Sequence, residues 1–240
     1  MTWSIIARDP GTGELGIAAA SRFFALGARV PFLKPGAGAL ATQALVNPLY
    51  GPDGLGLLAG GMGAREVVNR LVSADEGRES RQLHVMDATG AAAGHTGAEC
   101  VPWCGWAVGE NCSVAGNMLV GPSVVTQTIR TFETRADLPF ARRLIAAMAA
   151  GEAEGGDKRG RQSAVLIVYS GQDYSDLDLR VDDHADPLAE LARLEVVSRD
   201  RWAHFRRFLP TRENPAGITD RARIDREIAQ AIAAATEGGP

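Results

Sequence analysis

The chain is almost without lysine. Of its 25 basic residues only Lys34 and Lys158 are lysines and the rest are arginines. A guanidinium cannot titrate in a protein, so each lysine stands out as a group that can. Cysteine is scarce as well. The three residues, Cys100, Cys104 and Cys112, are an odd number in one segment, which argues against a disulfide framework and for a reducing compartment. No window approaches the run of about 20 apolar residues that a membrane helix requires. The opening Met1-Thr2-Trp3-Ser4-Ile5-Ile6-Ala7-Arg8 has neither the charged start nor the long apolar stretch of a secretory signal. With a net charge of −4 there is no basic field for nucleic acid or an anionic membrane. A cytoplasmic protein whose partners include neither nucleic acid nor membrane is expected.

What is present is an ordinary globular balance, 45% hydrophobic and 22% charged over 240 residues, enough chain to bury a core without disulfides or structural metal. Strand-like runs come first: Thr2 to Arg8 and Leu15 to Ser21 around a Pro/Gly turn, then Arg29 to Leu33 and Ala37 to Ala44. Two helical stretches follow, at Gly54 to Leu58 and at Ala64 to Ala74, the second with Val67, Val68, Leu71 and Val72 at helical spacing. Strands return at Gln82 to Asp87, Ala91 to Thr96 and Cys112 to Ala115, then helices near Val124 to Phe132 and Leu138 to Ala149. A polar glycine loop, Gly151 to Gln162, leads to strands at Ser163 to Ser170 and Leu177 to Val181 and a helix starting at Pro187. Strands and helices come in blocks rather than in strict alternation, which disfavours a doubly wound sheet and favours two mainly antiparallel sheets covered by helices, an α+β class. Residues 1–208 read as one domain and 209–240 as an extension with one peripheral helix. There Ile224, Ile228 and Ile232 form a narrow stripe suited to docking on a second subunit, and a homodimer or higher homo-oligomer is expected.

Thr2 follows the initiator methionine at the start of a strand. Removal of Met1 leaves a threonine with a free α-amine, whose ordinary pKa of about 7.7–8.0 suits a base at neutral pH. A threonine activated by its own amine is an established solution for acyl transfer. Many chains begin Met-Thr for no catalytic reason, so the position needs support. Lys34, between two short strands in a chain that avoids lysine, offers it: a cation near the amine lowers the amine's pKa. The plain alternative is a lysine that solvates a turn.

These residues resemble a bacterial family catalogued as domain of unknown function 1028. The likeness runs through Thr2–Asp9, Gly16–Phe24, Ala41–Ala44, Asn47–Leu55, His95–Ala98, Gly116–Leu119, Gly155–Ser163 and Arg180–His184, covering roughly residues 1–195. The family resembles the N-terminal-nucleophile (Ntn) hydrolases. What the resemblance implies is a four-layer αββα sandwich and a catalytic N-terminal residue, here Thr2. It also places a basic residue about thirty positions after the nucleophile, where Lys34 stands. One departure is plain: the acidic residue that orients this lysine in proteasome-type enzymes is missing from Ala18-Ala19-Ala20-Ser21. Ser21 can accept a hydrogen bond in its place but brings no counter-charge.

Other polar blocks complete the candidate site. Gln43 ends a strand expected beside the first and is a candidate for orienting an amide substrate, while Asn47 and Tyr50 fit that role and turn chemistry equally well. Asn117, next to Gly116, is a candidate oxyanion donor or a plain turn. The loop around Asp157, Lys158, Arg159 and Arg161, with Arg22, is a candidate for holding an acidic group and lacks the spacing of a nucleotide-binding loop. Asp182, Asp183 and His184 read as a strand end with capping. His95 and the three cysteines lack zinc spacing, and no metal or organic cofactor is expected. The leading expectation is an amidohydrolase acting on a small substrate. Its rivals are a non-catalytic binding or scaffold protein on the same fold and a metal-dependent hydrolase using His95, His184 and the aspartates.

Overall fold

A computed structural model of the chain describes residues 2–237. The strands are β1 (Thr2–Arg8), β2 (Leu15–Ser21), β3 (Pro31–Lys34), β4 (Gly38–Ala44), β5 (Arg81–Asp87), β6 (Ala92–Thr96), β7 (Gly105–Gly109), β8 (Cys112–Asn117), β9 (Ser163–Tyr169) and β10 (Leu177–Val181). The helices are α1 (Tyr50–Ala59), α2 (Ala64–Ser73), α3 (Ser123–Thr134), α4 (Phe140–Ala153), α5 (Pro187–Ser198), α6 (Trp202–Phe205) and α7 (Arg221–Glu237). By compactness the chain divides between Leu191 and Ala192, within α5.

The first unit holds both sheets. One has six strands in the order β10-β9-β2-β1-β8-β7, the other four in the order β3-β4-β5-β6, and every pairing is antiparallel. Helices α1 and α2 pack on the four-stranded sheet and α3 and α4 on the six-stranded one, while β1, β2 and β8 meet β4 and β5 between the sheets. The strands of highest β-branched content, β1 and β9, were legible from their runs alone. β7 was not: Gly-Trp-Ala-Val-Gly has glycine at both ends and forms as the edge partner of β8. Helix α1 starts at Tyr50 rather than Gly54, because Pro52 sits in the first turn, where its missing N–H has no partner to lose.

Period-two alternation decides which side chains meet between the sheets. Ile6 of β1, Leu15, Ile17 and Ala19 of β2, Ala39 and Ala41 of β4 and Met86 of β5 form one buried apolar cluster. The opposite face of the four-stranded sheet, with Leu40, Leu83 and Val85, packs on Val67, Val68 and Leu71 of α2. Moving along the same inward faces toward the start of β1, the residues turn polar: Ser4 and Thr2, Ser21, Gln43, His84 and Gln82, and Asn117, all buried.

The second unit has its own small core. Phe208, Ile224 and Ile228 are buried together, with Phe205 and Ile218 against them. Two of the three isoleucines expected to face a second subunit are therefore covered by their own unit, and Ile232 is 38% exposed. Among the described residues no helix is long and apolar enough to cross a membrane.

Candidate functional site

Thr2 is the first residue of β1 and lies between two neighbours, β2 and β8, whose ends Ser21 and Asn117 flank it. Its hydroxyl donates to Ser21 Oγ at 3.1 Å. Its carbonyl accepts from Gln43 Nε2 at 3.3 Å and from Asn117 Nδ2 at 3.4 Å. Both amides also donate to one atom, Gln82 Oε1, at 2.8 and 3.0 Å. Gln82 Nε2 in turn donates to the Gly116 carbonyl at 2.8 Å and to Thr96 Oγ1 at 2.9 Å, with the Gly105 carbonyl at 3.2 Å. Three carboxamides from three strands thus hold the first residue of β1 from behind.

The proton directions in this cluster follow from one another. A carbonyl only accepts, so the amide nitrogen of Gln43 must face Thr2 and its oxygen must face Ser4, 2.8 Å away. Ser4 has one proton, given to Gln43, so it accepts from His84 Nε2 at 2.9 Å. His84 is then the Nε2–H tautomer, and Ser113, 2.9 Å from Nδ1, donates to it. Burial pushes the His84 pKa down to about 3, so the ring is neutral at physiological pH.

The other expected site residues are placed as follows. Lys34 is not brought to Thr2. It is exposed and pairs with Gly38, at the opposite end of β4 from Gln43, about 17 Å away at the usual rise per strand residue. Pro35 and Gly36 turn the chain there, so the lysine solvates a hairpin. Asn117 belongs to the cluster, but its amide protons go to Thr2 and Gln82 and leave no side-chain donor for an oxyanion. Gly116 is a packing glycine: a Cβ there would lie 2.3 Å from Leu119 Cδ1 and 3.1 Å from Trp3 Cβ. Asn47 and Tyr50 both donate to Asp75 Oδ2, as does Arg81 Nε, which ties the β4–α1 loop to the start of β5. Burial raises the Asp75 pKa, but the hydrogen bonds from Tyr50, Gly77, Asn47 and Arg81 outweigh it and bring it down to about 2. Burial, then the Asp75 hydrogen bond, pushes the Tyr50 hydroxyl up.

Asp157 has a buried carboxylate that receives the backbone N–H of Arg22 and of Arg159, each at 2.8 Å, and pairs with the Arg159 guanidinium at 3.2 Å. It pins the glycine loop to the end of β2. Arg161 is held between Glu152 at 2.5 Å and Asp186 at 2.9 Å. Those two arginines are therefore engaged by carboxylates of the chain itself. The cysteine thiols are pushed up by burial, Cys112 to about 12. Among the described residues no three His, Cys, Asp or Glu side chains come together as a metal site. His95 Nε2 bonds to the Arg78 carbonyl and His184 Nδ1 accepts from the Asp186 N–H.

Among the described residues, two of the clefts on the first unit adjoin residues named above. The larger, about 680 Å³, lies over α1 and α2 beside Asn47, Tyr50 and Asp75, whose polar groups are already paired. The other, about 580 Å³, adjoins the end of β2 and is lined by Arg22, Arg161, Gln162, Asp183 and His184.

Sequence reasoning missed Gln82, His84, Ser4 and Ser113. A signal was present: Gln82 and His84 alternate with Leu83 and Val85 in a strand that is apolar on its other face. Polar side chains on the inner face of a buried strand require polar partners across the layer.

Fold and site together define a mixed α+β protein, two antiparallel sheets enclosing a polar cluster at the start of the first strand. The chain belongs to a family of unknown function, DUF1028, whose model matches residues 2–191. A crystal structure of the protein SPO2555 from Silicibacter pomeroyi, of the same family, is 34% identical, with a TM-score of 0.84, over 91% of this chain and 99% of that one. More distant is Anbu, an ancestral β-subunit, from Yersinia bercovieri: 13% identity, TM-score 0.41, 82% of this chain and 96% of that one. Anbu from Hyphomicrobium sp. strain MC1 is 11% identical, with a TM-score of 0.37, over 82% and 94%. No functionally curated protein matches the chain.

Proposed function

We propose that this protein is an amidohydrolase that uses Thr2 as an N-terminal nucleophile, and that its two sheets between two helix pairs form an αββα sandwich of the Ntn type. The observation that carries the reading is the hold on Thr2: hydroxyl on Ser21, carbonyl on Gln43 and Asn117, both amides on Gln82. A nucleophile needs its oxygen fixed relative to the incoming carbonyl, and a buried neutral cage does this at low reorganisation cost. Met1, whose removal the reading requires, lies outside the described residues.

With Met1 removed, the Thr2 α-amine takes the hydroxyl proton as Oγ1 attacks the amide carbon. The Oγ1–C bond forms, the C–N bond breaks, and the amine delivers the proton to the leaving nitrogen. Water then cleaves the ester and restores the hydroxyl. Ser21, Gln43, Asn117 and Gln82 are all neutral, so the α-amine is the base. No cofactor enters the scheme, and Lys34 has no part in it.

The test uses a β-lactone, whose ring ester acylates a nucleophilic hydroxyl. Intact mass should first show the chain without Met1, and then with one lactone added on Thr2. Thr2→Ala should take up none, Thr2→Ser should retain the reaction, and Lys34→Ala should match the parent at every pH. The rate should rise with pH through the amine's range near about 8. Retention of Met1, or labelling that survives Thr2→Ala, overturns the reading in favour of a binding protein.

A further inference from the structure

We propose that the cleft at the end of β2 binds a carboxylate group, held by the Arg22 guanidinium and the Nε2–H of His184. This deepens the amidohydrolase reading, on which it rests for calling the ligand a substrate. The class of substrate it names is an amide that carries a carboxylate.

The cleft begins one residue from the nucleophile's partner. Gln162 N–H donates to the Ser21 carbonyl at 3.1 Å, and Ser21 Oγ accepts from Thr2 Oγ1. Around it the cations fall into two groups. Arg159 and Arg161 are each paired with carboxylates of the chain, and Lys158 Nζ donates to the Pro102 carbonyl at 2.7 Å. Arg22 is different. Its side chain is exposed and makes one weak contact, Nη1 to the Arg159 carbonyl at 3.3 Å, with no carboxylate partner among the described residues. Its backbone is nonetheless fixed, by the N–H bond to buried Asp157, so the root of the side chain is held at the cleft.

His184 supplies a second donor. Its Nδ1 accepts from the Asp186 N–H at 3.0 Å, which leaves the ring N–H at Nε2, on the opposite edge. Its backbone N–H is fixed to the Gln162 carbonyl at 2.8 Å. One planar fork and one N–H match the two oxygens of a carboxylate. Asp183, also in the cleft wall and bonded to Gln162 Nε2 at 3.1 Å, opposes a dianion. The arrangement therefore selects a monoanionic carboxylate over a phosphate.

Calorimetric titration of the full chain tests this with three probes that differ in one group: succinamate, its neutral diamide, and 3-phosphonopropionamide. Succinamate should bind at least about tenfold tighter than the diamide, the ordinary worth of a charge-assisted pair. Arg22→Met, at an exposed position, should erase that preference, and His184→Gln should reduce it. Thermal melting of each variant checks that it is folded. No binding, equal binding of the diamide, survival of the preference in Arg22→Met, or tighter binding of the phosphonate each overturns the inference. Binding is read without turnover, so succinamate held at Arg22 in a protein that no lactone labels would sink the Thr2 reading and leave this one standing.

Discussion

The layer between the sheets has two ends built from the same strands by opposite means. At one end Ile6, Ile17, Ala39 and Met86 meet as hydrocarbon. Two to four residues along the same inward faces, Ser4, Gln43, His84 and Gln82 meet as hydrogen-bonding groups with fixed direction. The apolar end is stabilised by area and packing density, which tolerate small changes in shape. The polar end gains little net free energy from each bond, but leaving one buried partner unpaired costs about 1–3 kcal/mol. One end thus holds the sheets together and the other fixes where Thr2 sits.

The largest expected effect tests that division from the apolar side. Met86→Ala should lower the unfolding free energy by about 2–5 kcal/mol, while the lactone reaction at Thr2 keeps its rate below the unfolding transition. A fall in rate would mean the two ends are one unit. Gln82→Met keeps the volume but removes the shared acceptor of Gln43 and Asn117. It should cost about 2–3 kcal/mol in urea unfolding and slow acylation of Thr2, and an unchanged rate would remove Gln82 from any positioning role.

His84 gives the comparison a pH axis. Its folded pKa, about 3, lies below its unfolded value of 6.5, so the unfolded chain binds the extra proton first. Its contribution is therefore full above pH 6.5 and is lost as pH falls toward 3, by up to about 1.4 kcal/mol per pH unit. Unfolding curves at pH 7, 6 and 5 should show the slope, and His84→Gln should flatten it. Smallest is Arg161→Met, which removes two ion pairs of an exposed arginine and should cost less than about 1 kcal/mol. A loss of several kcal/mol would make the glycine loop part of the core.

Much of the fold was legible because alternation and helical spacing are local. The bounds of β1, β2 and β10 follow directly from their residues, and α2 from Val67, Val68 and Leu71. β7 was hidden because it is defined by its partner rather than by its own pattern. For the site, Thr2, Ser21, Gln43 and Asn117 were all identified and do meet, yet the roles given to Gln43 and Asn117 differ from where their amides point. Lys34 was singled out by rarity, which measures composition and not position: register puts it at the far end of β4. Arg161 looks available in a sequence because one of its two partners, Asp186, lies on a separate segment of the chain, whereas Arg159 pairs with Asp157 in its own loop.

The one-way order of protons from Ser113 through His84 and Ser4 to Gln43 also bears on how this family can vary. Each of these residues is correct only while its neighbour keeps its donor or acceptor sense. A single exchange strands a partner, whereas a concerted exchange along the row restores it. Across relatives these four positions should change together or not at all, and the apolar positions beside them should drift one at a time.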